Sequence, residues 1–370
     1  MELFKKGNGL FGFGCMRLPM SGEEVDYSVF SQMVDAFLQA GFRYFDTAHG
    51  YLKGQSEIAL KKCLTDRYPR DAYELTNKLS AFHFETEEEI RPLFESQLKA
   101  CGVDYFDLYL MHAQNAVNFE KYKKCRAYET ALELKKEGRI RHFGLSFHDK
   151  AEVLEQILTE YPQVEAVQIQ FNYLDYNDPS VQAKQVYEVC RKFQKPIIVM
   201  EPVRGGFLAN LPEKERSVLE QLGDASPASY ALRYAAGFEG VEMVLSGMGN
   251  MDMIRDNVSF MKDFVPLNQE EQDAIAQVCK MLRTKKTISC TDCKYCTELC
   301  PKKIPIPALF ACKNNQAILP GWTGTHYYKI HTRGRGKASD CIQCGKCESV
   351  CPQKLPIPSL LQSLKREFEE

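Results

Sequence analysis

The sequence has almost no charge imbalance and no long apolar run. Its 370 residues carry 47 Lys and Arg against 49 Asp and Glu, a net charge of −2, so the composition gives no sign of a basic surface for nucleic acid or an anionic membrane. No stretch approaches the roughly 20 apolar residues that span a bilayer, and the N-terminal residues lack the apolar core of a secretory signal. We therefore expect a cytoplasmic protein without nucleic-acid or membrane partners.

Cysteine, in contrast, is abundant. There are 15 cysteines, and both the odd count and the lack of a signal segment argue against a disulfide framework. Eight of them form two tight groups near the C-terminus, a distribution typical of metal ligands. The other seven are scattered and are expected in the core: Cys15, Cys63, Cys101, Cys125, Cys190, Cys279 and Cys312.

Short apolar runs alternate with longer amphipathic stretches over residues 1–265, which is typical of βαβ units and a parallel sheet. Helical patterns at 27–41 and 87–102 are the clearest of the amphipathic stretches. Eight strand–helix units favour a (β/α)8 TIM barrel over a doubly wound sheet, and no G-x-G-x-x-G follows the first strand. The predicted strands are 10–14, 42–47, 73–78, 106–112, 141–146, 166–171, 196–200 and 242–247.

The sequence changes character beyond the predicted barrel. Residues 290–310 and 341–361 are two copies of one cysteine-rich unit, aligned through C-P-x-x-x-P-I-P-x-L. Neither copy could bury enough apolar surface alone, so metal should stabilise both. We therefore divide the chain into a barrel at 1–265, a bridging helix at 266–286 and a small C-terminal domain at 287–370. The connector at 311–340 is expected to be irregular and partly exposed.

Each copy has the spacing C-x2-C-x2-C-x3-C-P, which is that of bacterial ferredoxins with two [4Fe–4S] clusters, and the region resembles such a ferredoxin. In this pattern the fourth cysteine of each copy binds the other cluster. Structural zinc fits the third cysteine and the C-P end poorly. Two clusters favour electron relay over a purely structural role, which one cluster would serve. The predicted ligand sets are Cys290, Cys293, Cys296 and Cys351, and Cys341, Cys344, Cys347 and Cys300.

Polar residues at the carboxyl ends of the predicted strands are the candidates for chemistry, because TIM barrels carry their active sites there. Asp46 and Tyr51 lie in FDTAHGY, Lys78 in LTNK and His112 in LYLMH. A buried lysine beside a carboxylate can lower the pKa of a tyrosine and make it a proton donor to a carbonyl oxygen. Singly, these residues could be a strand-end cap, a loop aromatic, a solvated charge and a core histidine.

In order and in flanking sequence, the four residues resemble the aldo/keto reductase family over nearly all of residues 1–265. The resemblance implies a catalytic tetrad of Asp46, Tyr51, Lys78 and His112, with hydride supplied by a nicotinamide cofactor. Tyr44, Tyr73 and Tyr109 are expected to be core aromatics, and His49 an exposed loop histidine. The cofactor residues taken from the resemblance are Ser146, Gln168, Met200, Gly247 and Asn257, and the residues themselves add Gly205 and Gly206, which could equally form a plain tight turn.

The expected cofactor pocket departs from the family at several positions. Phe147 stands where the family has an amide-binding Asn, Met200 where it has a stacking aromatic, and Gly247 and Met253 where NADP-preferring members have a Lys and an Arg. A strong NADPH preference is therefore not expected, and a flavin is an alternative. Gly205 and Gly206 could let backbone N–H groups approach a cofactor phosphate.

The sequence thus predicts an iron–sulfur oxidoreductase that interconverts a small-molecule carbonyl and its alcohol with NAD(P)(H), while two [4Fe–4S] clusters relay electrons. Clusters move one electron each, whereas a hydride carries two, so a flavin could link them. An external ferredoxin, or another electron donor or acceptor, is a candidate partner of the clusters. One alternative is a flavin-containing or ferredoxin-linked electron-transfer protein that uses the barrel as a binding scaffold. Another is an ordinary reductase with structural clusters. The substrate is not readable from the sequence.

Overall fold

The computed structural model describes residues 9–284, 288–319 and 321–370. Residues 1–8 of the proposed barrel, and 285–287 at the boundary with the proposed C-terminal domain, lie outside them. The strands are β1 (Phe11–Gly14), β2 (Met20–Ser21), β3 (Glu24–Val25), β4 (Tyr44–Asp46), β5 (Glu74–Leu79), β6 (Phe106–Gln114), β7 (Ile140–Phe147), β8 (Ala166–Gln170), β9 (Ile197–Met200) and β10 (Val241–Gly247).

Helices cover the outside of the strands and continue into the C-terminal region. They are α1 (Tyr27–Gln39), α2 (Gln55–Leu60), α3 (Ile90–Cys101), α4 (Ala116–Lys124), α5 (Ala127–Lys136), α6 (Ala151–Glu160), α7 (Ala183–Lys192), α8 (Glu213–Glu220), α9 (Pro227–Ala236), α10 (Met251–Met261), α11 (Gln269–Arg283), α12 (Tyr295–Glu298), α13 (Ile306–Ile318), α14 (Trp322–Thr332), α15 (Lys346–Ser349) and α16 (Ile357–Phe368). Short 3₁₀ or π turns lie at Tyr51–Gly54, Lys61–Thr65, Arg70–Ala72, Ala81–His83, Arg204–Ala209 and Ala338–Asp340.

Eight of the strands form a closed parallel barrel. β1 pairs with β4 on one side and with β10 on the other, and the remaining neighbours follow in chain order. The predicted (β/α)8 fold is therefore confirmed, and each of the eight predicted strands overlaps a barrel strand. The short β2–β3 hairpin, which the sequence analysis did not predict, lies outside the barrel. Because all eight strands are parallel, their carboxyl ends meet at one rim.

The barrel interior is a packed core rather than a pore. Side chains that point inward fill it, and they are fully buried or nearly so: Tyr44, Leu108, Leu110, Ala166, Ile198, Met243 and Leu245. A second apolar layer lies between the strands and the surrounding helices. Tyr44, Tyr73 and Tyr109 are buried as predicted. Close packing below the rim leaves the carboxyl ends of the strands as the part of the barrel where a ligand can enter.

The helices beyond the barrel are anchored to it. α11 begins with a capping box between Asn268 and Glu271, and its buried Ile275 and Val278 pack with Leu219 and Tyr230 of the α8–α9 region. Among the described residues, no helix is both long enough and apolar enough to cross a bilayer.

The connector at 311–340 is helical, so the expectation of an irregular segment was wrong. It contains the second half of α13 and all of α14, and the two helices pack against each other. Tyr327, Tyr328 and Ile330 are buried. The sequence carries little helical periodicity here because both sides of α14 contact protein, so no polar face marks the helix. At Gly336 an added Cβ would lie 2.1 Å from the carbonyl oxygen of Lys302, so this approach of two backbones requires glycine.

Candidate active site and cluster sites

The four predicted tetrad residues lie together at the carboxyl rim of the barrel. Asp46 ends β4, Lys78 lies in β5 and His112 in β6. Tyr51 begins the 3₁₀ turn that follows β4. The next two residues of this turn have positive φ angles without being glycine, a strained conformation that surrounding structure must hold. Strand ends and a fixed turn therefore bring these side chains to one place.

The centre of the arrangement is a buried ion pair. The Nζ of Lys78 donates to Oδ1 of Asp46 at 2.5 Å and to the carbonyl oxygen of Thr47 at 2.8 Å. It also lies 3.5 Å from the hydroxyl of Tyr51. The side chain of Lys78 is fully buried, and Gln168 donates to the other oxygen of Asp46 at 3.0 Å. Every polar atom of the pair thus has a partner, as a buried charge requires.

Burial dominates the pKa values at this site. Burial raises the pKa of the Tyr51 hydroxyl, and the charge of Lys78 lowers it by less. Lys78 was predicted to bring the pKa of Tyr51 below its ordinary value, and this prediction is not met. Burying a phenolate is costly, and this cost outweighs the effect of the nearby positive charge. Burial by itself lowers the pKa of Lys78, but Asp46 and Tyr51 outweigh it and leave the pKa raised. Tyr51 is therefore a protonated phenol beside an ammonium group.

His112 is held as a neutral imidazole. Its Nδ1 lies 2.5 Å from the hydroxyl of Ser80, and its ring is 5.9 Å from that of Tyr51 at an angle of 74°. Burial and the charge of Lys78 hold the pKa of His112 well below its ordinary value. With Nδ1 engaged by Ser80, Nε2 remains to contact a substrate oxygen. Ser80 lies two residues after Lys78 in β5 and its loop, and the sequence analysis did not single it out.

Of the residues predicted to bind the cofactor, Gln168, Met200 and Gly247 line the cavity at the rim, and three of the predicted residues have hydrogen-bond partners within the protein. Ser146 accepts a hydrogen bond from the backbone of Ala113 at 2.8 Å, and Gln168 bonds Asp46 as described. Asn257 is buried and donates to Ser246 at 3.0 Å, so it supports the end of β10.

Gly205 and Gly206 lie in the turn after β9, with φ angles of 66° and 98°. Arg204 before them also has a positive φ and is buried. Its Nε lies 3.0 Å from Oδ1 of Asp175, and its Nη2 donates to Asn315 of α13 at 2.6 Å. Glycine adopts such angles without strain, so the sequence G-G fits this turn. The Arg204–Asp175 ion pair holds the turn against the loop after β8, and the hydrogen bond to Asn315 connects it to the C-terminal region.

Arg17 and Glu201 are charged groups at the opening that the sequence analysis did not identify. Their nearest atoms are 3.7 Å apart, and the side chain of Arg17 is 49% exposed. The Arg17 side chain lies 3.8 Å or less from the positions that a Cβ would take at Gly205 and Gly247. Glu201 follows Met200 with a φ of 57°, another strained position. The loop after β1 therefore places a cation at this opening.

The cavity enclosed by these groups measures about 320 Å³, which is enough for a small ligand. Its lining comprises Gly14, Met16, Arg17, Asp46, Tyr51, His112, His148, Gln168, Met200, Glu201, Leu245, Gly247 and Trp322. A larger cavity, of about 560 Å³, opens at the other end of the barrel, around Glu165, Lys195 and Glu242. That end of a TIM barrel serves stability rather than catalysis, so we place the chemistry at the carboxyl rim.

His49 is not the exposed loop histidine that was expected. Its Nδ1 lies 2.9 Å from Oε2 of the buried Glu57, and 26% of the side chain is exposed. The hydrogen bond to Glu57 raises the pKa of His49, against the opposing effect of burial. Its ring meets that of His83 edge to face at 4.6 Å. His49 therefore belongs to the support of the loop between Asp46 and Tyr51.

The eight clustered cysteines lie around two separate cavities. Cys290, Cys293, Cys296 and Cys351 line one, together with Phe310. The other set, Cys300, Cys341, Cys344 and Cys347, lines the second.

No group of three His, Cys, Asp or Glu residues in the described parts of the chain converges closely enough for a single metal ion. Four thiols spread around a cavity instead fit a cube of four irons, whose corners each take one thiolate. The donor sets therefore fit two [4Fe–4S] clusters in the crossed pattern predicted from the spacing.

The seven scattered cysteines are buried, as predicted. Burial raises the pKa of the thiols of Cys15, Cys101 and Cys312 well above the ordinary value, and that of Cys279 to about 11. Thiols of this kind stay protonated and pack as small apolar groups. They are therefore not ligands or nucleophiles.

Two family models match the chain. The model described as "Aldo/keto reductase family" matches residues 11–280, which is well over half of the chain. The model described as "4Fe-4S dicluster domain" matches residues 289–355, which contain all eight clustered cysteines. The two matched regions do not overlap, and together they account for both sites described above.

Individual proteins resemble parts of the chain. The aldo-keto reductase family 1 member C3 of Pongo abelii is 30% identical over 169 residues, 41% of this chain and 50% of that protein. The NADH-specific methylglyoxal reductase of Escherichia coli strain K12 is 26% identical over 195 residues, 47% of this chain and 57% of that protein. The chain thus spans about half the length of these curated relatives. A solved structure, aldo-keto reductase AKR11C1 from Bacillus halodurans in its holo form, is 25% identical with a TM-score of 0.57, over 73% of this chain and 91% of that one.

Proposed function

Because the chain belongs to the aldo/keto reductase family and carries a 4Fe-4S dicluster domain, we propose that it is an iron–sulfur oxidoreductase that interconverts a carbonyl and its alcohol at the rim of the barrel. The observation that carries the proposal is the buried Lys78–Asp46 pair, with its ammonium group 3.5 Å from the Tyr51 hydroxyl at the bottom of the cavity. A purely structural ion pair would not need a partly buried phenol and a neutral imidazole beside it.

The chain's own groups suit proton transfer. Tyr51, protonated at neutral pH, donates its proton to the carbonyl oxygen as negative charge develops there. Lys78 stabilises the resulting phenolate, and Asp46 keeps Lys78 charged and oriented. Because His112 is neutral, its Nε2 can bond the same oxygen without bringing a second charge. In the reverse direction, the phenolate takes the proton from the alcohol.

We propose a nicotinamide dinucleotide as the hydride source. Met200 offers an apolar surface for the nicotinamide ring in place of an aromatic one, while Arg17 and the glycine turn at Gly205–Gly206 offer contacts for phosphate. The carboxylate of Glu201 in the same opening opposes additional negative charge, which argues against a second phosphate group nearby. NADH is therefore the preferred cofactor, and the Escherichia coli relative is itself named NADH-specific.

We also propose that the two clusters exchange electrons with the barrel or with an external carrier such as a ferredoxin. Phe310 lines the cavity of the first cysteine set, and Asn315, five residues further along α13, contacts Arg204 of the barrel. Five helical residues span about 7.5 Å. Only a short piece of helix therefore separates one cluster site from the loop that follows β9.

The test of carbonyl reduction is Tyr51→Phe in anaerobically purified protein that retains its iron. We expect kcat for methylglyoxal with NADH to fall at least about a hundredfold, the usual contribution of a general acid. Tyr176→Phe removes a hydroxyl from an aromatic cluster that does not line the cavity and should leave turnover unchanged. Equal turnover in the Tyr51 variant and the wild type would refute the tetrad mechanism.

The relay has a separate test. Protein reduced with dithionite and freed of excess reductant is mixed with NAD+ or with the carbonyl, and cluster absorbance is followed. Reoxidation at the rate of turnover is expected for a relay to the barrel. Clusters that stay reduced with NAD+, with the carbonyl and with an oxidised ferredoxin would assign them to the stability of the fold. Flavin extracted from the same sample would supply the converter between one- and two-electron steps, and its absence would exclude that cofactor.

A further inference from the structure

Helix α14 of the dicluster region lies across the carboxyl rim of the barrel. His326 bonds the carbonyl oxygen of His148 at 3.2 Å, and the buried His331 bonds that of Ser180 at 3.0 Å. Just beyond the helix, Arg333 pairs with the buried Asp149 at 2.8 Å. These contacts reach the loops after β7 and β8, so α14 has a fixed position over the barrel.

The first residue of this helix reaches the active-site cavity. Trp322 lines the cavity that also contains Tyr51 and His112, and it is 45% exposed. It is the one tryptophan of the sequence. A tryptophan that served only the packing of two domains would be buried between them. Trp322 instead remains nearly half exposed, and it lines the cavity.

The ring of His148 forms the part of the cavity wall next to Trp322. Its ring centroid lies 5.3 Å from that of Trp322, with the planes at 84°, and His326 contacts both rings. The two rings are thus fixed as adjacent sides of a corner. The Nδ1 of His148 is shielded from solvent and has no hydrogen-bond partner among the described residues. An unpaired buried nitrogen is costly, and a ligand could satisfy it once the ring turns this nitrogen toward the cavity that His148 lines.

The charge state of His148 limits what it can bind. Burial, with a smaller effect from His326, lowers its pKa to about 3. At neutral pH the imidazole therefore has one donor and one acceptor nitrogen, and it suits a hydroxyl or carbonyl group rather than an anion. Met16 and Leu245 add apolar surface to the same cavity.

We propose that the dicluster region completes the substrate site of the barrel: Trp322 stacks on a ring of the substrate, and His148 bonds a hydroxyl or carbonyl next to the reacting carbon. The inference rests on the proposed function, since it names the substrate class of that site as cyclic hydroxyketones and their diols. It also gives the barrel a specificity determinant that lies outside residues 11–280, the region matched to the reductase family.

The kinetic test uses holoprotein and three ketones: cyclohexanone, 2-hydroxycyclohexanone and the open-chain hexan-2-one. We expect Trp322→Ala to raise KM for both cyclic ketones up to about tenfold, which corresponds to about 1.4 kcal/mol and lies within the range of an aromatic contact. KM for hexan-2-one should change little, and Trp322→Phe should restore most of the loss. His148→Leu should remove the preference for 2-hydroxycyclohexanone over cyclohexanone, a ratio of about fivefold for one hydrogen bond.

Controls separate specificity from folding. Phe82→Ala truncates an aromatic side chain that is 91% exposed and does not line the cavity, and it should leave all three KM values unchanged. Iron content should equal that of the wild type in every variant. Equal rises of KM for cyclic and open-chain ketones in Trp322→Ala would overturn the stacking role. An unchanged ratio in His148→Leu would overturn the hydrogen bond.

A binding measurement that requires no turnover tests this inference separately from the proposed function. The emission of Trp322, free of other tryptophans, reports occupancy of the corner when cyclohexane-1,2-diol is added. A saturable change that His148→Leu weakens would support the site even if the wild type reduced no ketone, in which case only the proposed function would fail. Turnover of methylglyoxal together with no effect of the diol on emission would overturn the inference and leave the proposed function standing.

Discussion

At the residue scale, the most consequential group is Lys78, because its charge is fully buried and depends on one carboxylate. Replacing it with methionine removes the cation that pairs with the buried carboxyl group of Asp46 and leaves the amide of Gln168 as its bonding partner. Breaking a buried pair in this way costs about 3–5 kcal/mol. We expect Lys78→Met to lower the free energy of unfolding by that amount and to abolish most carbonyl turnover, as measured by anaerobic denaturant titration and steady-state kinetics.

Lys61→Met is the matched control. Lys61 pairs with Asp66 at the surface, where both side chains are about half exposed, and such pairs contribute about 0–1 kcal/mol. If the two substitutions lowered the free energy of unfolding equally, the buried Lys78–Asp46 pair would contribute no more to stability than a surface ion pair. A small loss of stability in Lys61→Met would also show that methionine is tolerated in place of lysine.

His49 gives the loop before Tyr51 a pH-dependent support. Its hydrogen bond to Glu57 raises its pKa, so the folded state binds the proton more tightly than the unfolded chain. The resulting stability is complete below the unfolded pKa of about 6.5 and is lost as the pH rises through the folded value. We expect the free-energy gap between wild type and His49→Gln to be largest near pH 5 and to shrink by about pH 9. A gap that grew with pH would contradict the assignment.

At the element scale, how well the sequence predicted structure depended on how many faces of an element are buried against the protein. The eight barrel strands were predictable because continuous apolar runs such as PIIVM, bounded by turn residues, occur at a regular spacing. α14 was missed because GWTGTHYYK has buried aromatics on one side and barrel-contacting histidines on the other. Its helical state depends on contacts with loops distant in sequence, which single-sequence periodicity does not contain.

α13 links the dicluster region to the glycine turn after β9, and Asn315 is the residue that makes the link. It is almost fully buried, accepts a hydrogen bond from Arg204 and donates one to Asp178 at 3.3 Å. We expect Asn315→Leu to cost about 1–3 kcal/mol, because the guanidinium of Arg204 loses a buried acceptor. The turn at Gly205–Gly206 should loosen as well, which would raise KM for NADH more than KM for the ketone.

The control for this prediction lies on the same helix. Lys313 pairs with Glu367 of α16, within the dicluster region, so Lys313→Met should leave KM for NADH unchanged. Equal KM values for NADH in the Asn315 variant and the wild type, despite lower stability, would mean that α13 supports the fold without positioning the cofactor turn.

At the scale of the whole molecule, the sequence predicted the chemistry of each half better than their contact. The cluster ligands follow a fixed spacing, and the tetrad follows from strand ends that must meet at one rim, so both sets could be named without a structure. Arg17, Glu201, His148 and Trp322 could not. Their shared cavity depends on how loops and α14 fold back over the rim, and none of them stands in a spacing that a motif records.

The two cysteine units and the helices between them should therefore respond differently when iron is removed. The cysteine-bearing segments 288–305 and 337–356 contain no α-helix longer than the four-residue α12 and α15, and their fourfold thiol sites depend on the clusters for cohesion. α13 and α14 instead contact each other and the barrel through Asn315, His326 and His331. We expect chelation of the iron to unfold the two cysteine-bearing segments and to leave α13 and α14 packed against the barrel.

Limited proteolysis of iron-depleted protein, read by mass spectrometry, tests this division. Cleavage is expected first within residues 288–305 and 337–356, while 306–332 and the barrel stay protected, and reconstitution with iron and sulfide should restore resistance. Emission from Trp322 should accordingly still respond to cyclohexane-1,2-diol in the depleted protein. Early cleavage inside α13 or α14 would mean that the clusters, rather than the barrel, hold the rim in place, because a helix pair docked by its own buried hydrogen bonds does not expose its backbone to a protease.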